Sequence, residues 1–382
     1  MTTGPGVTTD AITTVIVAGA LASKPDNGGE AWVRLSWVLG LAELGLAVHF
    51  VESADVTAGS PEAQWFEEVT SWAGLAGRAT LLDTQSATVS GADRSVVKDM
   101  AASGALLLDL SGTLRDRGLL RAFRRRAYID LDPGWTQLWD DAGLLGETLD
   151  DYEVHLTVGD AVTTCGLPLS GRRWQSIRPP VLLSAWPVVP ASGSAFTTVG
   201  SWRSPSGTMQ RHGRELGGKA REWRRFADLP AKAAIRCKAV VAAHPADDGD
   251  LDRLRAGGWS LHDCAAVAHP QIYRAFVQGS AAELSIAQEM YVATACGWTS
   301  DRTAGYLASG RPVLVSDTGM TNDLRRSPAF STFRTLDDAV TACDKLARID
   351  PAELSSAARL LAQQHFASDV VLPRVLDLVS AT

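Results

Sequence analysis

The sequence has no apolar run near the roughly 20 residues that cross a bilayer, so no membrane-spanning helix is expected. Its first ten residues, 1–10, lack a basic segment followed by an apolar one. They are polar and rich in Gly, Thr and Pro, so a disordered tail without a signal peptide is expected. The five cysteines (Cys165, Cys237, Cys264, Cys296, Cys343) are odd in number and widely spaced, with no CxxC pair and no Cys/His cluster at zinc-ligand spacing. Free thiols, a cytoplasmic location and no bound metal or cofactor are the matching expectations. Lysine is scarce, six against thirty arginines, and the net charge of −7 argues against a nucleic-acid partner. The one dense basic run, Arg121, Arg124, Arg125 and Arg126, reads as a solvated helix face. The dinucleotide fingerprint GxGxxG is missing as well. After the first strand, Gly19 is followed by Ala-Leu-Ala-Ser, which argues against a nicotinamide oxidoreductase.

What is present is an α/β pattern that occurs twice. The length of 382 residues suggests two domains, and 46% apolar residues suffice for a core in each. Residues 14–19 read as a buried parallel strand, 30–44 as a helix and 48–51 as the next strand, a βαβ crossover. Further strands are expected at 80–83, 105–110, 127–132 and 154–159. A Pro- and Trp-rich stretch, 178–190, reads as a linker. Beyond it strands are expected at 196–202, 239–244, 259–262, 273–277 and 312–316, with helices at 285–294 and 301–308. The tail from 351 to 379 is helical in pattern and interrupted at Pro373. The expected organisation is two Rossmann-like doubly wound lobes facing a cleft, 11–190 and 191–360, with a helical tail at 361–382 that can pack back on the first lobe. Ligands of such sheets bind at the carboxyl ends of the strands.

The most informative segment runs from Gly297 to Gly319. Ser300 or Asp301 can cap a helix that ends at Ser309-Gly310, before an apolar strand. A helix start offers free backbone N–H groups and the positive end of the dipole, and so binds anions. Trp298, Thr299, Ser300, Asp301, Arg302 and Thr303 are therefore the candidate donor-phosphate site, with Arg302 as a bidentate partner. An ordinary capped helix would show the same spacing.

Tyr306-Leu-Ala-Ser-Gly-Arg-Pro-Val313 followed by Asp317-Thr-Gly319 resembles the turn after the donor-binding helix of GT-B glycosyltransferases. Together with Gly297-Trp298 and Asp301-Arg302, it resembles a largely uncharacterised bacterial branch of them. Three more segments share the resemblance: Asp130 to Gln137; Trp174, Arg178 to Val181, Trp186 and Pro187; and Phe196 to Trp202. The resemblance covers most of the chain. It implies a nucleoside-diphosphate sugar held by the C-terminal lobe, an acceptor held mainly by the N-terminal lobe, and transfer without a bound metal. Many retaining relatives carry two glutamates around this loop. Trp298 and Gly305 stand at those places here, so that mechanism is not carried over. Of the nearby acids, Glu289 is expected mid-helix and exposed. Glu283, placed just after the expected strand 273–277, is the better donor contact.

Other candidates follow from chemistry. Asn27, Gly28 and Gly29 form a loop whose glycines let backbone approach a ligand, and Glu30 opens the next helix. Asp130 and Asp132 form a D-x-D pair, read as a cleft-lining turn before Pro133-Gly134, with Asp132 as a general base. Glu30 is the second catalytic candidate. His155 is expected to be packed. His244, at a strand end, is a candidate on the donor side. Sugar transfer to a hydroxyl or amine, plausibly on a natural product, is the favoured reading. A nucleotide-sugar epimerase or hydrolase and a non-catalytic binding homologue are the alternatives.

Overall fold

The computed structural model describes residues 12–203 and 207–381, so the expected disordered tail lies outside the described residues. The N-terminal lobe is built on eight strands: β1 (Thr14–Ala18), β2 (Ala47–Ser53), β3 (Ala79–Leu82), β4 (Thr88–Gly91), β5 (Leu106–Leu110), β6 (Arg125–Asp130), β7 (Val154–Thr157) and β8 (Trp174–Ser176). Their spatial order is β4-β3-β2-β1-β5-β6-β7-β8, parallel throughout except for β3 with β4. β1 is buried between two parallel neighbours, which explains why it reads as an uninterrupted apolar run.

The C-terminal lobe begins with β9 (Phe196–Ser201). A short antiparallel hairpin follows, β10 (Met209–Arg211) with β11 (Arg214–Leu216). The lobe then adds β12 (Cys237–Ala242), β13 (Trp259–His262), β14 (Ala282–Ser285), β15 (Val313–Ser316) and β16 (Phe330–Phe333). The main sheet has the order β13-β12-β9-β14-β15-β16 and is parallel. The order in which strands are added across each sheet reverses at one point, between β1 and β5 and between β9 and β14. These are the two switch points where loops splay apart and leave a crevice.

Several expected elements differ, and Arg125 and Arg126 of the basic run open β6 rather than lie on a helix face. Residues 273–277 lie inside the helix Pro270–Gln278, not in a strand. Its buried Tyr273 and Val277 are four apart, a spacing that fits a helix face as well as it fits one side of a strand. The strand is instead β14, and the following helix starts only at Glu289. Glu283 therefore lies within a fully buried strand.

The tail forms two helices, Pro351–His365 and Ser368–Ser380, and Pro373 sits inside the second. The break falls at Phe366 and Ala367 because Val181 adds there as a bridge. Its N–H donates to Phe366 O at 2.7 Å, and its carbonyl accepts from Ser368 N at 2.9 Å. Helix Ser368–Ser380 packs on the first helix, Gly28–Glu43, where Leu372 and Ser368 fill the space beside Gly40.

The lobes are joined by more than the linker. Trp32 of the first helix donates its indole N–H to Pro270 O at 2.8 Å. Across the other side, Gly159 and Trp298 form an antiparallel bridge. Asp160 N donates to Gly297 O at 3.2 Å and Ala161 N to Cys296 O at 3.0 Å. Two of the apolar cores contain residues of both lobes.

Candidate active site

Both switch points open onto one cleft of about 560 Å³. On the N-terminal side the loop after β1 is shaped by Glu52, a fully buried carboxylate on β2. It accepts the N–H groups of Leu21, Ala22 and Ser23 at 2.6, 2.6 and 2.8 Å, and the Ser23 hydroxyl at 2.6 Å. A buried carboxylate needs such donors, and this set fixes the path that carries Lys24 to Glu30 to the cleft. Asn27 caps the first helix, accepting from Glu30 N at 3.2 Å.

Gly28 and Gly29 answer to the opposite lobe. A Cβ on Gly28 would lie 2.8 Å from the carbonyl oxygens of Val267 and His269, and one on Gly29 would lie 3.0 Å from the Tyr273 ring. The glycines let the two lobes touch, and of the pair only Gly29 lines the cleft.

Glu30 is paired with Lys24 Nζ at 3.3 Å and with Arg34. Burial would push its carboxyl up, but Arg34 and Lys24 together outweigh that and hold it at about 2. Glu30 is thus a fixed negative charge within a triad.

Asp130 and Asp132 part company. Asp130 turns inward and accepts from Asp132 N (2.9 Å), Thr136 Oγ1 (2.7 Å), Gln137 Nε2 (2.9 Å) and Thr157 Oγ1 (2.7 Å). Burial pushes its carboxyl up to about 6 against these donors. Its work is to shape the turn that presents Asp132 to the cleft. Asp132 Oδ1 accepts from the phenol of Tyr291, across the lobes, at 2.7 Å. Ser111 and Thr113, after β5, line the same wall.

On the C-terminal side, Ser300 caps the helix Asp301–Ala308, accepting from Arg302 N at 3.2 Å. Trp298, Thr299, Ser300, Asp301 and Arg302 all line the cleft. The hydroxyl of Thr299 is buried there with no protein hydrogen-bond partner. Asp301 is pushed up to about 6, by burial first and by Glu30 across the cleft second, with Arg302 opposing.

Arg302 turns into its own lobe. Its Nε donates to Glu283 Oε1 at 2.8 Å, Nη1 to Val199 O at 2.6 Å and Nη2 to Ser285 Oγ at 2.8 Å. Burial pushes the Glu283 carboxyl up while Arg302 draws it down. Glu283 and Thr303 are buried behind the helix start and do not line the cleft. Gly305 packs against the Trp186 ring, within 3.4 Å of a Cβ placed there. His244 also stays outside the cleft. Its Nδ1 accepts from Ala246 N at 3.1 Å, capping a short turn.

Glu289, expected exposed, is buried and bonded to Arg214 and Arg221 at 2.7 and 2.9 Å. His155 is buried, as expected, and bonds Leu149 O at 2.9 Å.

Lys219 is a cleft residue absent from the sequence-based candidates. It begins the helix Lys219–Arg225 after the hairpin and lines the cleft. Its ammonium lies over Gly200 at the end of β9, 3.0 Å from a Cβ placed there. Burial, then Arg302, lower it to about 8, while Glu30, Asp301 and Asp132 pull it back up. The mark that could have found it is a lysine that opens a helix directly after two glycines, Gly217 and Gly218.

The C-terminal wall of the cleft thus carries a capped helix start and Lys219, and the N-terminal wall carries Asp132 and the Glu30–Lys24–Arg34 cluster. No helix among the described residues is long and apolar enough to cross a membrane. No family model matches the chain, and no curated protein matches it in sequence. Solved structures match it in fold. TarM aligns with a TM-score of 0.65 at 6% identity, covering 98% of this chain and 100% of the TarM chain. Anabaena Alr3699/HepE, solved in complex with UDP and glucose, aligns with a TM-score of 0.57 at 10% identity over 97% of this chain and 100% of that one. AviGT4, a glycosyltransferase involved in avilamycin A biosynthesis, aligns with a TM-score of 0.55 at 14% identity over 97% of each. The chain has the GT-B fold, the two-lobed α/β architecture of these glycosyltransferases.

Proposed function

We propose that the chain is a glycosyltransferase that moves a sugar from a nucleoside-diphosphate donor to a hydroxyl or amine of a small-molecule acceptor. Fold alone does not name a reaction. The observation that carries the reading is the pairing, across one cleft, of an anion-binding wall with a cleft-facing carboxylate. The wall is the Ser300-capped helix start, the buried unpartnered Thr299 hydroxyl and the Lys219 ammonium; the carboxylate is Asp132. UDP with a sugar in HepE is consistent with such a donor. AviGT4 is a neighbour tied to natural-product biosynthesis, which favours an acceptor of that kind.

In the proposed step Asp132 accepts the proton of the acceptor hydroxyl or amine. The freed lone pair forms the new bond to the anomeric carbon. The bond from that carbon to the phosphate oxygen breaks, and its electron pair leaves on the diphosphate. Lys219 and the helix start meet the leaving charge as preorganised donors. Glu30, held at about 2, is a poor proton acceptor. It serves as the fixed anion that orients Lys24 and Arg34.

Calorimetry with UDP, GDP and TDP tests the donor half. Binding of at least one is expected, and no binding of any would sink the reading. Donor hydrolysis that no acceptor accelerates would favour a hydrolase. Asp132→Asn is expected to lower turnover on the order of 10²-fold or more, the usual size of general-base catalysis, with donor affinity kept.

A further inference from the structure

We propose that Tyr291, on the donor lobe, is the positioning residue for Asp132, so that the base is correctly aimed only when the two lobes are apposed. The inference rests on the reading of Asp132 as proton acceptor. Asp132 is held from two sides. From its own lobe, the inward-turned Asp130 accepts the Asp132 N–H at 2.9 Å and fixes the backbone. From the other lobe, Tyr291 donates to Oδ1 at 2.7 Å. That contact leaves Oδ2 as the oxygen that meets the acceptor proton.

The phenol is itself fixed. Gln288 donates its side-chain N–H to Tyr291 Oη at 3.3 Å, and its carbonyl accepts the Trp135 indole N–H at 3.3 Å. Trp135 follows Asp132 by three residues, so the C-terminal pair Gln288 and Tyr291 clasps both ends of one N-terminal turn. The Tyr291 ring stacks on Trp298 with centroids 4.3 Å apart and planes 20° from parallel. Trp298 belongs to the loop that leads into the donor helix start, and its carbonyl accepts from Thr318 Oγ1 at 2.6 Å. One rigid ring pair therefore touches the donor loop on one side and the base on the other. A phenol at this place does what a single oriented donor does in other sites: it selects one rotamer of the carboxylate and leaves one oxygen exposed.

Tyr291→Phe keeps the ring and its stack on Trp298 and removes only the donor. Turnover is expected to fall on the order of tenfold or more, the loss that accompanies removal of one hydrogen bond to a charged group. Donor KM and thermal midpoint are expected to stay at wild-type values. A merely structural role would move the midpoint and KM with kcat. The double variant Asp132→Asn with Tyr291→Phe is expected to be no slower than Asp132→Asn alone, because a positioning residue has nothing left to position. Multiplicative losses in the double variant, or wild-type turnover in Tyr291→Phe, overturn the proposal. Gln288→Met, which frees the phenol but keeps it, provides a milder variant with a smaller loss of kcat in the same direction. Nucleoside-diphosphate binding to the wild type, measured beforehand, separates the cases. Absence of binding removes the transferase reading and the proposal with it, whereas binding combined with multiplicative losses removes Tyr291 alone.

Discussion

Arg302 and Glu283 form an ion pair at 2.8 Å that ties the helix Asp301–Ala308 to the central strand β14. Glu283 is fully buried, and Arg302 bonds at the same time to Val199 O and Ser285 Oγ. An arginine that the sequence offers as a phosphate clamp is thus committed inside its lobe. Removing one partner of a buried pair leaves the other charge unpaired, which costs about 3–5 kcal/mol. Arg302→Ala is accordingly expected to lower unfolding stability by about that amount in urea denaturation. If instead stability holds and only diphosphate affinity falls, Arg302 swings into the cleft when ligand binds.

In the proposed reaction Lys219 is the cleft cation that meets the diphosphate. Its ammonium is lowered to about 8, first by burial and then by Arg302. Below that pH it is charged and attracts phosphate; above it the charge is lost. Bound phosphate favours the charged form, so binding is coupled to proton uptake, and affinity must decline as pH rises through about 8. Calorimetric titrations with UDP at pH 7 and pH 9 are expected to show weaker binding at pH 9. Lys219→Met is expected to be roughly tenfold or more weaker at pH 7, as for loss of one charge-assisted contact, and to show little of this pH dependence.

Much of this architecture is legible in the sequence itself. Both βαβ runs, the linker, and the Ser300 cap with its helix follow from apolar periodicity and cap chemistry, which are local. What escaped was set by distant partners. Glu283 looks like a loop acid, yet it sits in a buried strand because Arg302, nineteen positions on, neutralises it. Glu289 looks like a surface residue, yet Arg214 and Arg221 from the hairpin region cover it. Gly28 and Gly29 read as ligand-facing, but what presses on them is the backbone of Val267 and His269 and the ring of Tyr273, from the other lobe. Lys219 carries only the local mark of the two glycines before it, since its placement over Gly200 depends on the hairpin between them.

Asp301 is expected to oppose folding above its own titration range. Burial and the neighbouring Glu30 raise its carboxyl to about 6, above the ordinary 3.8 that the unfolded chain has. The folded state therefore binds a proton more tightly than the unfolded one. Stability linked to this group is present below about pH 4 and is lost as pH rises through about 6. Asp301→Asn removes the penalty, so it is expected to stabilise the protein at pH 7.5 by roughly 1–2 kcal/mol and to give no gain at pH 4. Urea midpoints at the two pH values decide this. An equal gain at both would mean that the charge of Asp301 is not what opposes folding.

Gly297 is where the loop before the helix Asp301–Ala308 is joined to the opposite lobe. Its φ is +79°, and a Cβ there would lie 2.6 Å from Ala161 N and 2.8 Å from Asp160 N. Those two amides donate to Cys296 O and Gly297 O, so a side chain would push apart the bonds that hold the lobes together. Gly45 provides the comparison: its φ is +86°, but nothing lies within 4 Å of a Cβ placed there. Gly45→Ala should cost only the left-handed backbone penalty, about 1–2 kcal/mol. Gly297→Ala should cost that plus the steric clash, a further 1–3 kcal/mol or so. It should also weaken donor binding, because the displaced backbone leads directly into Trp298 and Thr299. Urea unfolding of the two variants side by side tests the first point, and UDP titration of Gly297→Ala tests the second. Equal losses in both variants would show that the lobes tolerate separation at this join, and that the loop holds its shape without the N-terminal lobe.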